Sequence, residues 1–301
     1  MSAPIFAGSD RALVRVESGE YIAVDTNSID SIPYLVGHPI EEHAVFVFRC
    51  FLRPDSVVLD IGANFGLYTA IAATAVRDRG RVYAFEGNPH TFDLLMRTLQ
   101  ANRVLNHPSV TPVNLLVSDR CGRGTLYYAD KVLGGGTMTN IGEQGTRDFA
   151  KLGVMVRSIE NDLTTIDAFL PADLAVDLVK IDIEGHEPLA LRGMARTIAR
   201  SPRLRLIVEF NENFLARTVP ASEFLDEIHG LGFRVCKILQ HARLQLVEPG
   251  EPLTGHLELL LTRTPEDDIG TVAAQLRRFP FWFKRWLRWT ADDLRRLSHR
   301  L

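Results

Sequence analysis

Asp60-Ile61-Gly62-Ala63-Asn64-Phe65-Gly66 follows directly on the apolar run Val57-Val58-Leu59 and precedes a helix-like run over residues 67–76. A β-branched run that ends in an acid and a glycine-bearing turn, then a helix, opens a nucleotide-binding α/β unit. Gly62 is expected to let backbone approach a ligand closely, and Gly66 to let the following helix pack close to the strand. Spacing is the deciding point. A dinucleotide site needs G-x-G-x-x-G so that the helix N-terminus faces a pyrophosphate. Counted from Gly62, the second and third glycine positions hold Asn64 and Leu67. The fingerprint fails twice, and an acid at the strand end repels a pyrophosphate while it suits a cationic ligand.

The next strand adds a second acid. Arg81-Val82-Tyr83-Ala84-Phe85-Glu86 reads as a short buried strand whose final acid lies 24 residues after Gly62. At the carboxyl end of a second strand, such an acid can accept hydrogen bonds from both hydroxyls of a ribose. Asn88-Pro89 then turns the chain into a helix that runs to about residue 102. Taken singly, Asp60 or Glu86 reads equally well as a turn or helix-cap residue. Both together, at the ends of consecutive strands, point to a ligand with a ribose and a positive charge, which S-adenosylmethionine combines.

With 301 residues, 46% apolar and 24% charged, the chain can bury one large α/β core. A net charge of −3 gives no electrostatic footprint for nucleic acid. Cys50, Cys121 and Cys236 are widely spaced and form no metal-ligand pattern, as expected of reduced thiols in a cytoplasmic protein. The N-terminus lacks an apolar signal region, and no stretch approaches the roughly 20 apolar residues of a membrane span.

Residues 11–25 read as a hairpin turning through Ser18-Gly19, and residues 39–51 as a helix ended by Arg53-Pro54. A third core strand lies near 110–117, with Ser118 directly after it placed among the ligand-binding residues. Segments 124–130 and 154–160 read as strands flanking a glycine-rich loop over 133–140, too long for a hairpin turn. The α/β rhythm resumes with strands at 177–182 and 204–210, a helix at 221–230, and strands at 233–239 and 256–262. Sequential βα units require a mostly parallel sheet covered on both faces. The last two strands, with no helix between them, are expected to pair antiparallel. The chain divides into three parts: an N-terminal hairpin and helix (1–55), the α/β domain (56–265) and a tail (266–301).

Lys180-Ile181-Asp182-Ile183-Glu184-Gly185-His186-Glu187-Pro188 sets five ionisable residues at the end of the fourth core strand. Ligands of open α/β sheets lie outside the carboxyl ends of the strands. Asp182, Glu184 and His186 should therefore share a rim with Asp60 and Glu86, and Glu209 should reach it from the neighbouring strand. The plain alternatives are a helix N-cap for Asp182 and a surface-helix position for His186. Glu187, in a first helical turn, suits the helix dipole without chemistry.

Four separated motifs now resemble one family. They are Asp60-x-Gly-Ala-Asn-x-Gly with Tyr68-Thr69, Phe85-Glu86-x-Asn88-Pro89, Thr165-Ile166-Asp167, and Lys180-Ile181-Asp182-Ile183-Glu184-Gly185-x-Glu187. In order and spacing, over roughly 57–210, they resemble the FkbM-type methyltransferases. The chain departs at Gly87, where a proline is more usual. The resemblance implies a class I methyltransferase fold: a Rossmann-like, seven-stranded, mostly parallel sheet with a terminal antiparallel strand. It further implies S-adenosylmethionine as donor and a hydroxyl on a sugar, glycan or natural product as acceptor. The implied donor set is Asp60, Gly62, Asn64, Gly66, Tyr68, Thr69, Glu86, Asn88, Ser118 and Asp182. Competing readings are a non-catalytic scaffold of this fold, and a nicotinamide-dependent dehydrogenase, which the glycine spacing opposes.

Methyl transfer from a sulfonium is an in-line displacement, so holding the acceptor oxygen collinear with the methyl–sulfur bond supplies most of the rate. A positioned base for the hydroxyl proton adds about 10²–10⁴-fold. Asp182, Glu184, His186 and Glu209 are the candidates. His186 is favoured because its ordinary pKa near 6.5 suits a base at neutral pH, and Asp182 is expected near the donor's amino or methyl end. No resident metal is assigned, although two acids and a histidine holding a divalent cation remain an alternative. Residues 276–301 carry eight Lys or Arg, two Asp and all three tryptophans, with an aromatic stripe at helical spacing. Such a tail reads either as an in-plane anchor at the inner face of a membrane or as a helix packed on this domain or a second subunit.

Overall fold

The computed structural model describes residues 3–38, 40–76, 79–140, 142–151 and 153–278. In the first sheet β1 (Ile5–Phe6), β2 (Arg11–Arg15) and β3 (Tyr21–Asp25) pair antiparallel in that order, with buried and half-exposed residues alternating along most of β2. The hairpin is tied to residues 98–102 of the α/β domain: the Ala23 N–H donates to Thr98 Oγ1 at 2.9 Å, and Asn102 exchanges two bonds with the Tyr21 backbone. The helix expected over 39–51 is divided. α1 (Ile32–Val36) stops at Gly37, whose left-handed φ of 70° caps it, and α2 (Glu42–Phe51) begins afresh.

The α/β units are β4 (Val57–Ile61), α3 (Leu67–Ala75), β5 (Arg81–Phe85), α4 (Pro89–Ala101) and β6 (Val110–Val113). An inserted segment comes next, with β7 (Leu116–Val117), β8 (Gly122–Ala129), β9 (Val132–Thr137), α5 (Gly142–Lys151) and β10 (Val156–Thr164). The chain then runs through α6 (Ile166–Phe169), β11 (Leu178–Ile181), α7 (Glu187–Arg192), α8 (Ala195–Arg200), β12 (Arg205–Asn211), α9 (Glu212–Leu215) and α10 (Ala221–Gly230). It closes with β13 (Arg234–Leu239), β14 (Arg243–Leu246), β15 (His256–Thr262) and α11 (Pro265–Arg278).

The main sheet has the order β14-β13-β15-β12-β11-β4-β5-β6. Strands β12, β11, β4, β5 and β6 pair parallel, and β15 runs antiparallel between β12 and β13. This is the class I methyltransferase arrangement. Eight strands are present among the described residues where seven were expected. The eighth, β14, forms a hairpin with β13, its half-buried Leu244 and Leu246 alternating with exposed Arg243 and Gln245. Side chains on a strand point alternately to opposite faces. Val58 and Leu178 accordingly join a core under α2, α3 and α4, while Leu59 and Val179 join a second core under α7, α8 and α10. α11 is fixed through Asp268, which is 1% exposed and takes three hydrogen bonds from the Arg205 guanidinium.

A four-stranded sheet, β7-β10-β8-β9, stands over the cleft end of the main sheet. Here the structure corrects the sequence reading. Residues 132–137 form a strand, not a long loop, and the chain turns at Asp130-Lys131 between Ala129 and its partner Val132. Gly134 is there because the strand runs against the β4–α3 turn: a Cβ on it would stand 2.5 Å from Asn64 Nδ2. Residues 279–301, which hold the aromatic stripe of the tail, lie outside the described residues.

Candidate active site

The strand order reverses between β4 and β11, and a crevice opens there at the carboxyl ends of the strands. It is a cavity of ≈ 360 Å³ lined by Gly62, Asn64, Glu86, Asn88, Asp182, Glu184 and Glu209 among others, with residues 132–136 of β9 as its far wall. Asp30 holds that wall by accepting the Gly134 N–H at 2.8 Å.

The donor end is shaped by backbone. Gly62, Asn64 and Gly66 have φ of 83°, 48° and 89°, so the turn coils tightly after β4. Its start is pinned by two N–H groups, of Gly62 and Ala63, on the Phe85 carbonyl, both at 2.9 Å. The Glu86 carboxylate spans the turn and the next helix, accepting the Asn64 N–H at 2.9 Å and the Asn88 N–H at 2.8 Å. Asn88 caps α4 by accepting the His90 N–H at 3.0 Å. Two glycine roles differ from expectation. A Cβ on Gly62 would meet the Asp182 carbonyl oxygen at 1.8 Å, and one on Gly66 would meet Leu95 at 2.7 Å and Thr98 at 3.2 Å. Gly62 thus lets the turn touch the end of β11, and Gly66 lets it touch α4 rather than the strand.

Several residues assigned to the site do not line the cavity. Asp60 is 1% exposed and its carboxylate is taken by the Thr69 hydroxyl. Tyr68 donates to Glu41 Oε2 at 2.7 Å and packs edge-on to Phe48. Gly66 is occupied by the helix contact just described. Ser118 and His186 bond to each other at 3.0 Å outside the cavity wall, and burial lowers the His186 pKa to about 4. His186, the base favoured from the sequence, is thus engaged by Ser118 and is not among the residues that line the cavity. Glu187 holds the turn before α7, its Oε1 accepting the Ile183 and Gly185 N–H groups at 3.1 and 3.2 Å.

Asp182, Glu184 and Glu209 do converge, each offering a carboxylate oxygen within 4.8 Å of the others. Glu184 sits at φ 51°, a left-handed conformation uncommon for a residue with a side chain. Burial first, then the Glu209 and Asp182 charges, raises its pKa to about 9. Glu209 is raised to about 7 by burial and Asp182, against a lowering bond from His256 Nε2 to its Oε1 at 2.6 Å. Glu86 is raised to about 7 and Asp60 to about 6, burial being the largest cause for both.

The sequence reading missed what stands behind Asp182. Lys180 is 1% exposed, with Nζ 3.2 Å from Asp182 Oδ2, 3.4 Å from Glu258 and 3.9 Å from Glu41. Burial alone would lower this ammonium; the surrounding carboxylates raise it well above its ordinary value. The available signal was an ionisable residue inside each of two apolar strands, Lys180 in β11 and Glu258 in β15.

These raised carboxyl groups have a consequence for stability. Each binds a proton more tightly in the folded chain than in the unfolded one, so the folded state gains from protonation between the two pKa values. Stability is therefore lost as pH rises. The melting temperature of the ligand-free protein is expected to fall between about pH 5 and about pH 9. A melting temperature that stays flat or climbs across this window in a calorimetric series would mean that folding does not raise these carboxyl groups.

Fold and cleft agree with one family, and the chain belongs to the FkbM methyltransferases: a model of the methyltransferase FkbM domain matches residues 60–235. The hexuronic acid methyltransferase AglP of Haloferax volcanii is 29% identical over 145 residues, covering 48% of this chain and 52% of that one. The chain thus spans about half the length of that archaeal relative. The 31-O-demethyl-FK506 methyltransferase FkbM of Streptomyces tacrolimicus is 27% identical over 190 residues, covering 54% and 70%. Among solved structures, an S-adenosylmethionine-dependent O-methyltransferase from Thermotoga maritima superposes with a TM-score of 0.42 at 14% identity, covering 86% of this chain and 94% of that one. No helix among the described residues is long and apolar enough to cross a membrane.

Proposed function

We propose that the chain transfers a methyl group from S-adenosylmethionine to a hydroxyl of a sugar, glycan or natural product. The observation that carries this reading is one cavity with two unlike ends. At one end Glu86, held by the Asn64 and Asn88 backbone, presents its carboxylate as a ribose acceptor. At the other end Asp182, Glu184 and Glu209 crowd together, where an acceptor hydroxyl can lose its proton. Donor residues in this reading are Gly62, Asn64, Glu86, Asn88 and Asp182, with Asp60, Gly66, Tyr68, Thr69 and Ser118 supporting the turn, the helix and the rim from behind. The names of the relatives support the acceptor class, since one is called a hexuronic acid methyltransferase and another acts on demethylated FK506.

The chain's own groups supply positioning and proton removal. Asp182, anchored by Lys180 at 3.2 Å, is set beside the donor's positive end. Glu209, oriented by His256, faces the acceptor and, together with its two neighbours, receives the proton as the methyl group moves. A nicotinamide cofactor is opposed by the β4–α3 turn, which holds Asn64 and Leu67 where a dinucleotide fingerprint needs glycine. Isothermal calorimetry with S-adenosylhomocysteine tests the donor. Glu86→Ala is expected to weaken its binding by about 1–3 kcal/mol, the loss for a charged hydrogen-bond partner. Equal affinity in the variant removes Glu86 from the ribose, and binding of NADH in place of S-adenosylhomocysteine overturns the methyltransferase reading. Contact of residues 276–301 with a membrane or a second subunit remains a proposal from the sequence alone.

A further inference from the structure

We propose that Asn161, in the sheet that stands over the cleft, is a positioning residue that fixes Glu86 for the donor ribose, with Asn114 completing the clamp. The inference rests on the methyltransferase reading, in which Glu86 accepts the ribose hydroxyls.

The need for a clamp follows from where regular pairing stops. Strand β5 ends at Phe85 and its neighbour β6 ends at Val113. One further bond, from the Glu86 N–H to the Val113 carbonyl at 3.0 Å, closes the ladder. The Glu86 and Gly87 carbonyls come after it, where Glu86 is buried and Gly87 half-buried. Carbonyls in such a place need donors from outside the ladder. Each receives a side-chain amide: Asn114 Nδ2 donates to the Glu86 carbonyl at 2.7 Å, and Asn161 Nδ2 donates to the Gly87 carbonyl at 2.8 Å.

Backbone and carboxylate of Glu86 are then fixed together. Its Oε2 accepts the Asn64 N–H and its Oε1 the Asn88 N–H. An ionised carboxylate has about four lone-pair sites, so each oxygen keeps one free for a ribose hydroxyl. Both hydroxyls can be met at once only while the carboxylate holds its orientation, and the 86–87 peptide carries that side chain.

Asn161 reaches this peptide across 74 residues of sequence, from β10, where it lies opposite Gly124 of β8. Its own Oδ1 accepts the Asp162 N–H at 2.7 Å, which aims the amide nitrogen at Gly87. The same Nδ2 stands 3.4 Å from the Asn114 carbonyl, so the two asparagines form one unit. Packing presses them home. A Cβ on Gly87 would meet Leu116 Cδ2 at 2.2 Å, and Leu116 packs with Leu163, two residues beyond Asn161 on the same face of β10. The sheet over the cleft thus grips the ribose end as well as forming the far wall.

Calorimetry with S-adenosylhomocysteine on wild type, Asn161→Asp, Glu86→Ala and the double variant tests this. Aspartate keeps the size of the side chain and the oxygen for the Asp162 N–H, but it cannot donate to Gly87. Asn161→Asp is expected to weaken binding about tenfold. With Glu86→Ala already present, the same change is expected to cost less than about twofold, because the group it positions is gone. Asn161→Ala, should the aspartate variant fail to fold, is expected to give the same pair of results. Asp162→Ala, at the exposed neighbouring position, is expected to bind as wild type does. Wild-type affinity in Asn161→Asp, or an equal loss with and without Glu86, overturns the proposal and leaves the methyltransferase reading standing. No binding of S-adenosylhomocysteine by the wild type overturns that reading and the proposal with it.

Discussion

Glu209→Gln is expected to lower turnover by about a hundredfold or more while the affinity for S-adenosylhomocysteine stays unchanged. Glutamine keeps the length of the side chain and an oxygen for His256, so packing at the end of β12 survives. What it removes is the negative charge that faces the acceptor hydroxyl. Asp182 cannot replace it, because its Oδ2 is engaged by Lys180 at 3.2 Å. Glu184 is a poorer substitute, because burial and the neighbouring Glu209 and Asp182 charges raise its pKa. Steady-state kinetics with any accepted hydroxyl compound, together with calorimetry of the donor product, measure both halves. A variant with normal turnover would move the acceptor away from these carboxylates. A variant that loses donor affinity would place Glu209 in the donor site instead.

Gly62→Ala is expected to cost about 2–5 kcal/mol of folding stability and to abolish donor binding. About 1–2 kcal/mol of that is the left-handed backbone that a Cβ disfavours, and the remainder is forced movement of packed backbone. The added carbon would stand 1.8 Å from the Asp182 carbonyl oxygen, and that oxygen is backbone, which no rotamer change can clear. Either the β4–α3 turn or the end of β11 must shift, and both form the cleft. Gly270→Ala is the control. Gly270 is an exposed position in α11 with nothing within 4 Å of a new Cβ, so it should gain about 0.5–1 kcal/mol as a helix residue. Urea denaturation of the two variants decides the matter. Equal stability of Gly62→Ala and wild type would mean that the turn has room the structure does not give it.

Much of the site could be read from local pattern. Glu86 was singled out because it and Asp60 end consecutive strands, and the structure places Glu86 in the cavity wall. Asp182, Glu184 and Glu209 were singled out from their places at strand ends, and they line the same cavity. His186 was assigned with them because it is near in sequence, but α7 turns it toward Ser118. Spacing along a chain does not report which way a side chain points once the strand has ended.

The glycines of β9 misled for a related reason. Glycine weakens a strand in isolation, so Gly134-Gly135-Gly136 read as a loop. Those residues lie in a strand that pairs with β8, and Gly134 is pressed against Asn64, where a side chain would not fit. β14 escaped because four residues, two of them half-buried leucines, leave too short a period to separate from a turn.

The sequence by itself determined the α/β order, the failed dinucleotide spacing and the acids at the strand ends, since each is a property of a short run of residues. Only the tertiary structure decided which of those acids share a cavity, that Lys180 neutralises one side of Asp182, and that Glu209 keeps a buried oxygen without a donor. Charge compensation depends on distances between strands far apart in the chain, and no local pattern carries those distances.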